Sequence, residues 1–184
     1  MTRSNGIDLE KSKTNKKAKT NDDDCDDLYQ TFRARQHLFT NNPKYEPVLK
    51  LHIHHAEGLE NPATRPPLTY SVESWIEPDQ GRARTNKVFG LPNPVWDREF
   101  YLRLNRFWDL KFLHIEVLRH GSWSEPGTSS GFACVGRVRI PLPEELHASK
   151  SGRFGLVRLV GGEVRGEGHI IVSMKLMKFR RTRV

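Results

Sequence analysis

In VLKLHIHH, residues 48–55, apolar and polar side chains alternate: Leu49, Leu51 and Ile53 face one way, Lys50, His52 and His54 the other. A period of two marks a strand with one face buried and one in water. The pattern recurs along the chain. TYSVESWI (69–76) presents Tyr70, Val72 and Ile76 on one face, and VWDREFYLRL (95–104) presents Phe100, Leu102 and Leu104. FLHIEVL (112–118) turns Leu113, Ile115 and Val117 inward, and GRVRIPL (136–142) turns Val138, Ile140 and Leu142. RFGLVRLV (153–160) and EGHIIVSMKL (167–176) complete the series, the last with Ile170, Val172, Met174 and Leu176. GRARTNKV (81–88) is a third strand in chain order, polar enough for an edge or a strongly solvated face. The breaks NPATRPP, EPDQG, GLPNP and VGGEVRG carry turn residues. Eight strands with no convincing helix between them predict an all-β antiparallel sandwich of two sheets.

Residues 1–44 have a different character. EKSKTNKKAKTNDDDCDD offers almost nothing to bury, so the segment is expected to be a disordered extension. Its lysines Lys11, Lys13, Lys16, Lys17 and Lys19 suit either a solubilising tail or a nuclear-import patch. Asp26 or Asp27 could cap a short helix near 26–39, with Leu28, Phe32 and Phe39 on one side. The expected division is therefore an extension over 1–44, a domain over 45–178 and a basic tail over 179–184. That tail, with Arg180, Arg181 and Arg183, is a frayed end or an extension of a phosphate-binding surface. Cys25 and Cys134 lack partners at metal spacing and read as reduced thiols. Neither a membrane-length apolar run nor a signal-peptide pattern is present, which predicts a cytoplasmic or nuclear protein.

Most of the formal charge of +8 lies in residues 45–184. Residues 45–184 hold 21 Lys/Arg against 15 Asp/Glu, and 15 of those cations are arginines, suited to bidentate contacts with phosphate or carboxylate. Such a surface favours anionic partners. Arg82 and Arg84 share a face at period two, Lys87 follows, and Arg103 from the next strand is a further candidate. These four are the candidate lipid- or phosphate-binding residues; the competing reading is an edge strand charged against aggregation. Nucleic acid is disfavoured, because the basic stretch has few aromatic residues for base stacking. His52 and His54 could chelate a metal as a strand pair, but no cysteine or carboxylate cluster in sequence completes a site, and no metal or other cofactor is expected. Surface histidines would add positive charge on protonation. No nucleophile elbow, HExxH or phosphate-cradling glycine loop appears, and an enzyme is not expected.

The order of these pieces resembles a C2 domain over residues 46–178. LKLHIHHAEGL is similar to its first strand and LTYSVESWI to its second. RARTNKVFGLPNPVWDREFYLRL resembles its third and fourth strands joined through an Asn-Pro-x-Trp-Asn/Asp turn. FLHIEVLR with the long loop and CVGRVRIPL is similar to strands five and six, and GRFGLVRLV with GEGHIIVSMKL to the last two. The chain looks most like small plant proteins of little more than one C2 domain, the cold-regulated and copine-associated defence types. The resemblance implies an eight-stranded antiparallel C2-type β-sandwich, non-catalytic, peripheral at the plasma membrane and engaged in stress or defence signalling. It implies anionic phospholipids or a membrane-associated regulatory protein as partner; a protein adaptor without lipid affinity, or a nuclear factor using the tail, are the alternatives. Calcium-binding relatives place about five aspartates in two end loops. Here those positions fall near Pro62 and Leu68 and at Arg119, Gly121 and Ala133, with Glu60 and Glu125 the acids in the two loops. A cation at Arg119 opposes an ion there, so binding is expected to be calcium-independent. Arg119, His120 and Trp123 are then the expected membrane- or partner-contacting loop, although Trp123 could fold back onto the sandwich.

Overall fold

The computed structural model describes residues 45–59, 68–76, 81–90, 93–104, 112–121 and 131–180. Its strands are β1 (Tyr45–Glu57), β2 (Thr69–Trp75), β3 (Ala83–Arg84), β4 (Val88–Phe89), β5 (Val95–Arg103), β6 (Phe112–His120), β7 (Phe132–Pro141), β8 (Ser149–Val160) and β9 (Glu163–Arg180). All pairings are antiparallel, in the order β3-β2-β6-β7-β8-β9-β1-β5, with β4 also on β2. Among the described residues β7 and β8 share a single paired position, Arg137 with Val157. The path therefore divides into two sheets, β3-β2-β6-β7 and β8-β9-β1-β5. This is the expected antiparallel sandwich.

The alternation read from the sequence sets the core. Leu49, Leu51 and Ile53 of β1, Val72 of β2, Leu113, Ile115 and Val117 of β6, Ile140 of β7 and Ile170, Val172 and Leu176 of β9 are fully buried in one cluster that draws on both sheets. Each such aliphatic side chain contributes about 1.5–3 kcal/mol through burial. Trp96 is buried too, and its indole N–H donates to the Tyr70 carbonyl at 3.2 Å, tying β5 of one sheet to β2 of the other.

The expected third strand is two short ones. Between them Thr85 turns inward, where its N–H donates to the Val72 carbonyl at 3.0 Å and its hydroxyl accepts the Val72 N–H at 2.9 Å. The side chain takes the place of a ladder bond, which keeps this polar segment attached to β2 with few apolar residues to bury. At the far end β9 runs to Arg180, so Phe179 and Arg180, expected in a tail, pair with Glu46 and Tyr45 of β1. The β8–β9 hairpin closes through Gly161 and Gly162, at φ 58° and 88°, the left-handed pair that a two-residue hairpin turn requires. The extension over 1–44, its helix near 26–39, Trp123 and residues 181–184 lie outside the described residues.

Candidate functional site

Strand alternation fixes what the first sheet shows to solvent. Val72, Ile115 and Val117 point inward, so Glu73 and Trp75 of β2 and Glu116 and His114 of β6 point outward. The register carries this across the sheet. Arg84, Glu73, Glu116 and Arg137 form one row over β3, β2, β6 and β7, and Trp75, His114 and Arg139 form the next.

Contacts along these rows are cationic and aromatic. Arg82 Nη1 donates to Glu73 Oε2 at 2.8 Å, and Arg84 pairs with the other carboxylate oxygen. The two guanidiniums cover Glu73, whose side chain keeps 7% exposure while theirs keep 48% and 56%. Arg82 also lies 4.3 Å from the Trp75 ring centre, and Trp75 stacks on His114 at 5.5 Å. Arg139 sits 4.2 Å over the Phe112 ring, and Arg137 lies 3.7 Å from Glu116. Lys87, exposed beyond β3, completes the set. Among the described residues, Arg82, Arg84, Lys87, Arg137 and Arg139 thus share one face with two carboxylates, Glu73 and Glu116.

The histidines of this face register its field. His120 has its pKa lowered by burial first, then by Lys87 and Arg84. His114 is lowered by burial and then by Arg139, against a smaller opposing pull from Glu116.

Of the residues singled out in the sequence, Arg82, Arg84 and Lys87 come together, and Arg103 does not join them. Arg103 pairs with Val48 on the outer face of the second sheet, the opposite side of the sandwich, and its Nε lies 3.3 Å from Glu46. The four cations therefore do not make the single patch expected of them. Arg119 and His120 are also not at a loop tip; they are the last two positions of β6. Arg119 is buried at 3% exposure opposite Tyr70 of β2, and His120 Nε2 is hydrogen-bonded to the Ser71 hydroxyl at 2.8 Å. The loop assignment failed because the strand continues through two polar residues. Sequence reasoning also missed Arg137 and Arg139. GRVRIPL shows both facing out, but only the strand order places them beside β6 and so in the rows of Glu116 and His114.

A second cluster lies on the outer face of the other sheet. His52 and His54 of β1 stand beside Asp97 of β5, with His52 Nε2 2.7 Å from Asp97 Oδ1 and the two imidazole centres 4.0 Å apart. His54 Nε2 is 3.0 Å from the Ser173 hydroxyl of β9. Burial, with His52 next in weight, lowers the His54 pKa, so His54 is a poorer source of positive charge than a freely exposed histidine. The expectation that no carboxylate completes the histidine pair is corrected, since Asp97 is contributed by another strand.

A protein-family model of the C2 domain matches residues 47–156, and the chain belongs to the C2 domain family. Such domains are lipid- or protein-binding modules, peripheral to membranes and in general non-catalytic. Among solved structures, a C2 domain of plant extended synaptotagmin 1 is similar, with a TM-score of 0.55 at 17% identity over 74% of this chain and 96% of that one. A calcium-bound structure of two C2 domains of extended synaptotagmin 2 gives 0.53 at 16% identity, over 85% of this chain and 51% of that one. A C2 domain-containing protein from a gene described as elicitor-responsive gives 0.50 at 16% identity, over 73% and 93%. These likenesses concern the fold. No curated protein sequence matches the chain.

Proposed function

We propose that the outer face of the first sheet docks on anionic phospholipid without calcium, holding the protein at the cytoplasmic side of the plasma membrane as an adaptor in stress or defence signalling. The observation that carries this reading is the convergence, among the described residues, of five cations, Arg82, Arg84, Lys87, Arg137 and Arg139, on a face with two carboxylates. Four are arginines, whose planar guanidiniums match phosphate oxygens. Each cation near an anionic bilayer contributes about 1 kcal/mol, so the face supports weak, reversible, salt-sensitive binding. Calcium independence rests on the residues at the end-loop positions: Leu68, Gly121 and Ala133 carry no carboxylate, and Arg119 is itself cationic. The signalling role is suggested by the elicitor-responsive relative.

Co-sedimentation with vesicles containing phosphatidylserine or a phosphoinositide tests the proposal, with and without chelator and over a range of salt. Binding should survive chelation and weaken with salt. Arg137→Glu combined with Arg139→Glu should reduce it by at least about 30-fold, two cations' worth of attraction. Arg82→Glu with Arg84→Glu should do the same, and Arg103→Glu should change it little. Binding that requires calcium, or is indifferent to all these changes, would refute the assignment.

One observation favours a second reading, a protein adaptor without lipid affinity. Leu159 and Val164 face each other across the β8–β9 hairpin near its turn and are 68% and 71% exposed. Paired apolar side chains left in water suit a protein partner. Absence of vesicle binding under every condition would leave this reading in place.

A further inference from the structure

We propose that His52, His54 and Asp97 form a binding site for a divalent transition-metal ion of the zinc class on the outer face of the second sheet, the side opposite the basic face.

The three donors come from two strands brought together by an irregularity. The β1–β5 ladder runs regularly from Val48–Arg103 to Ile53–Arg98, then resumes at His55–Val95. One residue of β1, His54, therefore stands against two of β5, Trp96 and Asp97. A bulge of this kind re-aims side chains next to it. Trp96 goes to the core, and Asp97 takes a left-handed backbone, φ 47°, with its carboxylate beside His52. The ladder to β9 is broken at the same point, between Ile53–Val172 and His55–Ile171, so no β9 residue is paired with His54.

One ligand atom from each of the three residues lies within 4.8 Å of the others. An ion with nitrogen or oxygen ligands at about 2.0–2.1 Å needs its donors on the order of 3.3–3.5 Å apart. Side-chain rotation closes that difference, since the Asp97 side chain is 75% exposed and His52 is on a solvent-facing position. Ser173 holds the His54 ring, the kind of outer-shell contact that orients a metal-binding imidazole. Glu99, paired with His52 across the strands, is engaged by Lys50 at 2.8 Å, which holds that cation on Glu99.

The donor set determines the ion class. Two imidazoles and one carboxylate suit Zn²⁺, Co²⁺, Ni²⁺ or Cu²⁺, whereas Ca²⁺ takes six to eight oxygens. Three protein ligands leave a further position for water or an outside donor. A bound ion would also clip β1 to β5 across their broken ladder.

The test uses the full chain, freed of metal by a chelator and then titrated with zinc chloride by calorimetry and with cobalt chloride by visible absorption. The comparisons are His54→Gln and Asp97→Asn. The latter suits the left-handed backbone and removes the charged ligand. The expected result is one equivalent of zinc, a four-coordinate cobalt band, and affinity reduced by at least about tenfold in each variant while circular dichroism stays unchanged. Zinc should raise the melting temperature of the parent chain by more than that of Asp97→Asn at the same zinc concentration. Nitrogen-15 spectra of the parent chain should show zinc perturbing the His52 and His54 rings, a readout that needs no variant to fold. Equal zinc titrations of parent and variants, a six-coordinate cobalt spectrum, or perturbation confined to other histidines would overturn the site.

Discussion

Glu73 illustrates how a single carboxylate can serve the fold and oppose the proposed function. It is buried in a sheet face because Arg82 and Arg84 lie over it, and it neutralises part of the charge that would draw the face to phosphate. Removing it has two consequences of opposite sign. Glu73→Gln should lower stability by about 1–2 kcal/mol, read from a urea midpoint, because one charge-assisted hydrogen bond becomes a weaker one to the amide oxygen and the other is lost to an NH2 that cannot accept, while the half-exposed arginines are largely screened. The same variant should bind anionic vesicles more tightly than the parent. A variant that loses both stability and vesicle binding would mean that Glu73 acts by positioning the arginines, not by offsetting them. The sequence showed Arg82 and Arg84 at period two and could not show Glu73 beneath them. Their salt bridges span nine and eleven residues of chain, and the register of β3 on β2 fixes which side chains meet.

At the level of elements, the polar third strand depends on Thr85. Neither β3 nor β4 exceeds two residues, and neither brings many apolar atoms to the core. What holds them is the exchange between Thr85 and Val72, in which both groups of the Val72 backbone are satisfied. Thr85→Val keeps the shape and deletes the acceptor, leaving a buried N–H unpaired at about 1–3 kcal/mol. The expected outcome is a lower melting temperature, together with faster amide exchange at Val72 and along β3 than elsewhere in β2. Loss of vesicle affinity should accompany it, since Arg82, Arg84 and Lys87 are carried by this segment. Uniform exchange across all strands would show instead that β3 unfolds only with the whole domain. The period-two strands, by contrast, were legible residue by residue. Leu49, Leu51 and Ile53 are buried as their spacing predicts, because one apolar face per strand is all that a sandwich needs to assign sides.

The whole molecule presents two outer faces of different chemistry, one arginine-rich and the other with a histidine–carboxylate cluster. The first also shapes the response to pH. His114, beside Trp75, Arg139 and Glu116, and His120, beside Ser71, Phe132, Lys87 and Arg84, both have folded-state pKa values below 6.5. In the unfolded chain the same imidazoles take up protons near the ordinary value, so acid favours unfolding. Their contribution is complete above the unfolded value and is lost as pH falls through it toward the folded value. Stability should therefore decline as pH falls from neutral through the ordinary imidazole range, which lies above that of the carboxylates. A second decline at lower pH follows from Glu57, held down by Arg153 and His55, and from Glu99, held down by Lys50 and Tyr101. Urea midpoints across this range, with a chain carrying His114→Gln and His120→Gln, provide the check. The double variant should reduce the first decline to the part that His54 contributes and leave the second, and an unchanged first decline would assign it to other groups.

The sequence by itself determined the strands, their inward residues, the sandwich class and the basic character of the domain. Each of these follows from local alternation or from composition, which need no knowledge of neighbours. Only the tertiary structure decided which charges share a face. Strand order brought Arg137 and Arg139 beside Glu116 and sent Arg103 to the far side, and a bulge set Asp97 beside His52 and His54. Alternation fixes on which side of its own strand a residue lies; it carries no information about which strand is hydrogen-bonded next to it, and a site built across strands depends on that pairing.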